Sequence, residues 1–112
     1  MTLFEKIAAR EIPADIVYET DDFLAFRDID PKAPVHILIV PKRCIPRIGD
    51  AKEADAELLG RMLVASKLIA KDAGVFESGY RLVINHGPDA GESVPHLHMH
   101  LLGARTFSWP PG

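Results

Sequence analysis

The chain has 112 residues, 47% of them hydrophobic and 26% charged, and a formal net charge of −3. That length predicts one domain over residues 1–112, large enough to bury a hydrophobic core. A nucleic-acid-binding domain of this size usually carries a basic excess, so the acidic balance argues against nucleic acid as a partner. The single cysteine, Cys44, excludes an intrachain disulfide and cysteine-rich zinc motifs.

The sequence carries the pattern of neither a membrane span nor a secretion signal. No stretch approaches the roughly 20 apolar residues that cross a bilayer. The charged residues Glu5, Lys6, Arg10 and Glu11 interrupt any apolar run of the kind that signal peptides contain. We therefore expect a cytoplasmic, reducing setting and no membrane partner.

The first half of the chain predicts a short helix and three strands. Thr2 followed by Glu5 is a capping-box pattern, which predicts a helix through about Arg10. Pro13 ends it, because proline does not continue a helix interior. Runs of β-branched and aromatic residues then predict strands at residues 16–20, 23–29 and 35–40.

The second half predicts a long helix and two strands. Apolar side chains recur at helical spacing over about residues 51–72, with Asp50 as the expected N-cap and Gly74 as the C-terminal stop. Strands are predicted at residues 81–85 and 96–102. This order predicts an α+β fold with a mostly antiparallel sheet of about five strands, one short N-terminal helix and one long helix.

Three of the five histidines, His96, His98 and His100, stand at alternate positions near the C-terminus. Successive side chains of a strand point to opposite faces, so the three imidazoles are expected on one face and the intervening apolar residues on the other. His36 lies inside another predicted strand. Two interpretations follow: neutral imidazoles that bind zinc, or an imidazole that acts as a nucleophile or acid–base group.

The loop before the histidines favours the second interpretation. Gly87 and Gly91 permit positive φ, and backbone N–H groups in such turns form anion-binding nests. Ser93 adds a hydroxyl and Asn85 an amide beside the histidines. A phosphate site next to imidazoles indicates phosphoryl or nucleotidyl transfer. Carboxylates in the same loop could also orient metal-bound imidazoles, so zinc stays open as an alternative.

The run His96-Leu97-His98-Met99-His100-Leu101-Leu102 matches the His-φ-His-φ-His-φ-φ signature of the histidine triad (HIT) family, in which φ is apolar. The chain resembles above all the Hint branch, the histidine triad nucleotide-binding proteins. The resemblance extends to residues 4–13, 25–28, 33–34, 40–42 and 79–81, to Asn85, Gly91 and Ser93, and to the terminal Trp109-Pro110-Pro111-Gly112.

This resemblance implies a HIT-like fold and a purine nucleoside phosphoramidase, which hydrolyses the P–N bond of adenosine or guanosine monophosphoramidates. Some such enzymes also act on aminoacyl adenylates. His98 would attack the α-phosphorus and form a nucleotidyl-imidazole intermediate that water resolves. His96 and His100 would donate hydrogen bonds to phosphoryl oxygens or to the leaving group, and His36 would orient the site. Neither a metal nor another cofactor is implied.

The resemblance also implies two groups of substrate contacts. The phosphate and leaving group would be bound by Asn85, Gly91 and Ser93. The nucleoside would be bound by Phe4, Phe26, Asp28 and Ile29, with the carboxylate on the ribose hydroxyls. From the residues alone, the three apolar members of this second group are the more readily explained as core.

A homodimer is expected, because a sheet of about five strands leaves an edge that a second copy can pair with and extend. Two alternatives to the enzyme are kept. One is a nucleotide-binding scaffold or regulatory protein with incidental hydrolase activity, and the other is a zinc-binding protein.

Overall fold

The structure of the chain, a computed structural model, describes residues 1–112. Five strands form one sheet in the order β1-β2-β3-β5-β4, and every neighbouring pair is antiparallel. The α+β class is therefore confirmed. In chain order the elements are α1 (Leu3–Ala8), β1 (Ile16–Glu19), β2 (Phe23–Arg27), β3 (Val35–Pro41), α2 (Ala56–Asp72), β4 (Tyr80–Val83) and β5 (Met99–Gly103).

Helix α1 begins with the predicted capping box. The Glu5 N–H donates to the Thr2 hydroxyl at 3.1 Å, and the Thr2 N–H donates to the Glu5 carboxylate at 2.9 Å. The helix ends at Ala8, two residues before the predicted end, because Arg10 adopts a left-handed conformation with φ of 63°. A residue in that conformation commonly terminates a helix.

Helix α2 begins later than predicted, and its predicted N-cap is wrong. Asp50 belongs to a separate short 3-10 turn, and a second such turn, Glu53–Asp55, comes directly before Ala56. The buried carboxylate of Asp55 accepts the Lys52 N–H at 2.8 Å and pairs with Arg43, which stabilises this entry. The end is as predicted, with Gly74 at φ of 78° just after the helix.

The last strand is shorter than the histidine pattern predicts. The pairing of β5 with β3 begins at Met99, opposite Ile39, so only His100 of the triplet lies in the paired strand. The ladder stops two residues before the end of β3, because Pro41, which the register places opposite Leu97, has no N–H to donate. The chain is held there by Leu97 N–H, which donates to the Ile45 carbonyl at 2.7 Å.

Alternation nevertheless continues through the whole histidine run. The apolar residues between the histidines pack under α2, in a cluster of 14 buried residues, whereas the histidines lie on the opposite face. That opposite face carries α1 and a smaller cluster of six buried residues: Phe4, Ile7, Leu24, Phe26, Leu38 and Val40. The two helices thus cover different faces of one sheet. None of the helices has the combination of length and apolar composition that a bilayer crossing requires.

Candidate active site

A cavity of about 260 Å³ opens on the α1 face of the sheet. Its wall comes from α1, β2, β3 and the segment that leads into β5. Its lining is largely apolar, and its polar members are Arg27, Asp28, Ser93, His98 and His100. A wider groove of about 690 Å³ lies between β1 and α2, but no histidine lines it. The smaller cavity is the one that histidines of the triplet line.

His36 and His100 form a hydrogen-bonded pair beside the cavity. The backbone N–H of Lys32 donates to Nδ1 of His36 at 3.0 Å, so the proton of neutral His36 lies on Nε2. That Nε2–H donates to Nδ1 of His100 at 2.9 Å. His100 in turn carries its proton on Nε2, which leaves one N–H donor on a side chain that lines the cavity.

Burial keeps this pair uncharged. Desolvation lowers the pKa of His36, although the nearby carboxylate of Asp28, 3.5 Å from Nε2, partly opposes the shift. Desolvation, followed by the proximity of His98 and His36, lowers the pKa of His100 to about 4. Both rings are therefore neutral near pH 7, as the hydrogen-bond chain from Lys32 requires.

His98 carries its proton on Nδ1, whereas His36 and His100 carry theirs on Nε2. Its Nδ1 lies 2.7 Å from the carbonyl oxygen of His96, which only accepts, so Nδ1 carries the proton. Nε2 is then left with a free lone pair on a side chain that lines the cavity. The ring lies between Phe4, 5.1 Å away, and His100, 5.0 Å away, measured between ring centroids. A neutral imidazole held in this tautomer is suited to nucleophilic attack.

His96 is completely buried and bonds only to the protein. Its Nε2–H donates to the Pro41 carbonyl at 2.7 Å, and its Nδ1 accepts from the Thr2 hydroxyl, also at 2.7 Å. Desolvation lowers the pKa of this ring too. Both ring nitrogens bond inside the fold and His96 does not line the cavity, so a hydrogen bond from His96 to substrate stays a prediction.

The four residues predicted to bind a nucleoside all line the cavity. Phe4 and Phe26 are buried and pack together with ring centroids 5.5 Å apart, so they belong both to the core and to the cavity wall. Asp28 accepts the Asp30 N–H through one carboxylate oxygen, at 2.9 Å. Ile29 is 97% exposed at the rim, where an apolar residue of this size gains nothing from the fold itself.

The residues predicted to bind phosphate are not all brought together. Ser93 lines the cavity, whereas Asn85 and Gly91 do not. Gly91 has φ of 79°, the left-handed conformation predicted for this loop. The loop is closed by Glu92, which accepts the Gly87 N–H at 3.0 Å and pairs with Arg47 at 2.9 Å. The Glu92 carboxylate therefore stabilises the loop that precedes Ser93 and does not orient an imidazole.

Zinc ligation by the triplet requires its imidazoles to converge, and they do not. Two groups of three side chains do place ligand atoms within 4.8 Å of one another, and neither includes two histidines of the triplet. One group is Asp28, His36 and His100, and the other is Glu5, Cys44 and His96. Any metal interpretation must therefore rest on a different set of ligands from the one that the sequence pattern indicates.

Sequence reasoning missed two contributions to this site. Thr2 is visible in the sequence only as a helix cap, and nothing in the pattern signals its bond to His96. Leu38 and Val94 line the cavity although the motif does not include them. Leu38 is two residues beyond His36 on β3, so strand alternation alone could have placed it on the histidine face.

An antiparallel sheet that carries a histidine triplet and a fourth histidine on the face opposite its long helix defines a histidine triad protein. The family model described as the HIT domain matches residues 9–107, and the chain belongs to this family.

Relatives of known sequence and structure cover nearly the whole chain. A 14 kDa zinc-binding protein of Zea mays is 50% identical over 99% of this chain and 88% of its own length. The adenylylsulfatase HINT1 of Arabidopsis thaliana is 49% identical over 99% of this chain and 76% of its own length. The crystal structure of a HIT family hydrolase from Legionella pneumophila is 50% identical, with a TM-score of 0.96 over the full length of both chains.

Proposed function

We propose that this protein is a hydrolase that cleaves the P–N bond of purine nucleoside phosphoramidates through a nucleotidyl-His98 intermediate. The observation that carries the proposal is the pairing of a free Nε2 lone pair on His98 with a free Nε2–H on His100, in one cavity. The similarity to a protein described as a HIT family hydrolase supports the reaction class. The relative described as an adenylylsulfatase supports an adenylyl group on the phosphorus side.

The reaction would proceed in two displacements at the α-phosphorus. In the first, the Nε2 lone pair of His98 forms an N–P bond while the P–N bond to the amine breaks, and the amine leaves with a proton from solvent. In the second, water attacks the phosphorus, the bond to His98 breaks, and the proton of that water returns to solvent. The Nε2–H of His100 would stabilise the phosphoryl oxygens in both steps. His36 would keep His100 in the donor tautomer.

The substrate would lie across the cavity from its apolar end to Ser93. Phe4, Phe26 and Ile29 would enclose the purine, and the free oxygen of Asp28 would accept from the ribose hydroxyls. The Ser93 hydroxyl would donate to the phosphate or the leaving group. Asn85 and Gly91 remain proposed phosphate contacts that require their loop to approach the bound substrate.

The decisive experiment replaces the nucleophile. We expect His98→Asn to lower kcat by at least about 10³-fold, as loss of a covalent nucleophile does in other enzymes. Mass spectrometry of acid-quenched wild-type enzyme should detect a nucleotidyl adduct on His98. The matched control is His86→Asn, since His86 is an exposed histidine outside the cavity. A His98→Asn enzyme that retains near-normal turnover would refute the proposal.

Substrate class is tested by comparing turnover of several compounds by one preparation. The panel consists of adenosine and guanosine phosphoramidates, lysyl adenylate, adenylyl sulfate and diadenosine polyphosphates. We expect the phosphoramidates to have the highest kcat/KM. A higher kcat/KM for adenylyl sulfate would instead support an adenylylsulfatase, the activity for which the Arabidopsis relative is named, with His98 still as the nucleophile.

A zinc-binding function is the second candidate. The three ligand atoms on Asp28, His36 and His100, together with the name of the maize relative, favour it. Elemental analysis of the purified protein and turnover in the presence of a chelator separate the two candidates. Metal at one equivalent, with activity lost on chelation, would favour zinc over the metal-independent reaction.

We also propose that the enzyme is a cytoplasmic homodimer. Strand β4 is an edge of the sheet. Nearby, the half-exposed Leu63 and Ile84 line a small apolar pocket together with buried core residues such as Met62. Pairing of two β4 edges about a twofold axis would extend the sheet and cover these side chains. Light scattering at micromolar concentration should give the mass of a dimer, and a monomer mass would contradict this assembly.

A further inference from the structure

We propose that Thr2 is a positioning residue for the nucleophile. Its hydroxyl holds His96 in one tautomer and one orientation, and His96 in turn presents the carbonyl oxygen that keeps the His98 proton on Nδ1. The inference rests on the proposed function, because it concerns the reactivity of His98. It extends that function to a residue that has no contact with the cavity.

The hydrogen bonds around His96 allow only one arrangement of protons. The Pro41 carbonyl can only accept, so the His96 proton lies on Nε2, 2.7 Å from that oxygen. Nδ1 of His96 must then accept, and the Thr2 hydroxyl, 2.7 Å away, must donate. The lone pair of the same hydroxyl accepts the Glu5 N–H. The helix cap and the histidine ring therefore share one hydroxyl group.

The ring of His96 matters for His98 because the sheet does not hold this part of the chain. His96 precedes β5, and its backbone is tied only by its own N–H to the Val94 carbonyl and by the Leu97 N–H to the Ile45 carbonyl. The two hydrogen bonds of its ring add to this restraint, together with the contact of the ring with Phe4. Its carbonyl oxygen is the acceptor for Nδ1 of His98, at 2.7 Å. A shift of the ring therefore moves the group that orients the nucleophile.

If the Thr2 hydroxyl is removed, neither tautomer of His96 keeps hydrogen-bond partners for both ring nitrogens. In the present tautomer, a completely buried nitrogen would lack a partner, which is costly. In the other tautomer, the Nε2 lone pair would face the Pro41 carbonyl at hydrogen-bond distance, which is repulsive. The ring must move, and Phe4, which touches both His96 and His98, moves with it. His98 then loses its fixed acceptor, and the fraction with a free Nε2 falls.

The test uses three variants of α1. Thr2→Val removes the hydroxyl and keeps the shape, Thr2→Ser keeps the hydroxyl, and Glu5→Ala removes only the reciprocal bond of the capping box. We expect Thr2→Val to lower kcat roughly ten- to a hundredfold, the range seen for residues that orient metal-bound imidazoles. KM should change little, Thr2→Ser should restore turnover, and Glu5→Ala should stay within about threefold of wild type. Circular dichroism establishes that each variant is folded at the assay temperature.

A second readout follows the protons directly. In ¹⁵N-histidine NMR, the wild type should show His98 with its proton on Nδ1 and His96 with its proton on Nε2. Thr2→Val should shift both toward mixed tautomers, and Thr2→Ser should not. Unchanged tautomers and turnover in Thr2→Val would overturn the positioning role. So would an equal loss of turnover in Glu5→Ala, because the effect would then come from docking of the helix.

The two proposals fail separately. If His98→Asn keeps its activity, the proposed function is wrong, whereas the NMR tautomers still test the bond between Thr2 and His96. If His98→Asn is inactive and Thr2→Val is fully active, the proposed function stands and the positioning role is wrong.

Discussion

The two faces of the sheet are built from the same strands but are held together differently. The face under α2 is built on a cluster of 14 buried apolar residues, and the buried polar side chains on this side are Ser66 on α2 and Asp55 just before it. The face under α1 has six buried apolar residues, and beside them three buried histidines. No buried side-chain nitrogen or oxygen in the protein lacks a hydrogen-bond partner. The histidine face therefore replaces part of its hydrophobic packing with specific hydrogen bonds.

Because of this difference, the face under α2 mainly determines the stability of the fold, and the face under α1 mainly determines the chemistry of the cavity. Apolar contacts under α2 are numerous and non-directional, so a substitution there changes the free energy of unfolding. Hydrogen bonds under α1 are few and directional, and they determine which nitrogen carries a proton. A substitution there changes what the cavity can do. Successive side chains of residues 96–101 point to opposite faces of the sheet, so this one segment contributes apolar residues to one face and histidines to the other.

The largest effect on stability is expected under α2. Leu101 is completely buried in the 14-residue cluster, so Leu101→Ala should lower the free energy of unfolding by about 3 kcal/mol. Urea unfolding measures this, with Leu68→Ala as the control, because Leu68 on the same helix-covered side is 47% exposed. At a temperature where the variant is folded, its turnover should be close to that of wild type. Equal losses of stability for the two variants would contradict the role given to burial, and a loss of turnover in folded Leu101→Ala would contradict the proposed division between the faces.

A smaller effect, and one that depends on pH, is expected under α1. The pKa of His100 is lowered to about 4 in the folded protein, against about 6.5 in an unfolded chain, and the pKa values of His36 and His96 are lowered too. Between these values the unfolded state binds more protons, so stability is complete above about pH 6.5 and falls as the pH is lowered toward 4.

Replacing His100 with asparagine isolates the contribution of its imidazole to this loss of stability at low pH. Urea unfolding at pH 7 and pH 4.5 should show a decrease of about 1–3 kcal/mol for wild type, and a smaller decrease for His100→Asn. Carboxylates that titrate in the same range affect both proteins alike. An identical decrease in the two would mean that His100 is not held neutral by the fold.

The smallest effect is expected at the rim of the cavity. Ile29 is 97% exposed, so Ile29→Ala should change the free energy of unfolding by less than about 0.5 kcal/mol. If Ile29 covers a purine, KM should rise about three- to tenfold, in line with the loss of one or two buried methylene groups. Val64→Ala, at an exposed site on α2, is the matched control and should leave KM unchanged. An unchanged KM for Ile29→Ala would remove this residue from the proposed nucleoside site.

Much of the fold could be predicted because it depends on local patterns. The capping box of Thr2 and Glu5, the apolar periodicity of α2 and the alternation of the histidine run are all visible within a few residues. The errors occur where a distant contact overrides the pattern. Side chains of residues 96–98 alternate between the two faces as in a strand, but these residues have no ladder, because Pro41 of β3 has no N–H to donate. Asp50 resembles an N-cap, but the chain makes two 3-10 turns before α2 begins.

The sequence by itself determined the family signature, the fold class and the face on which the histidines lie, because these follow from residue type and spacing. Only the tertiary structure decided what each histidine does. Proton positions depend on partners far away in the chain: 94 residues separate Thr2 from His96, 55 separate Pro41 from His96, and 64 separate His36 from His100. Three identical side chains at equal spacing therefore differ physically. One is committed to the fold, one has a free lone pair, and one has a free N–H.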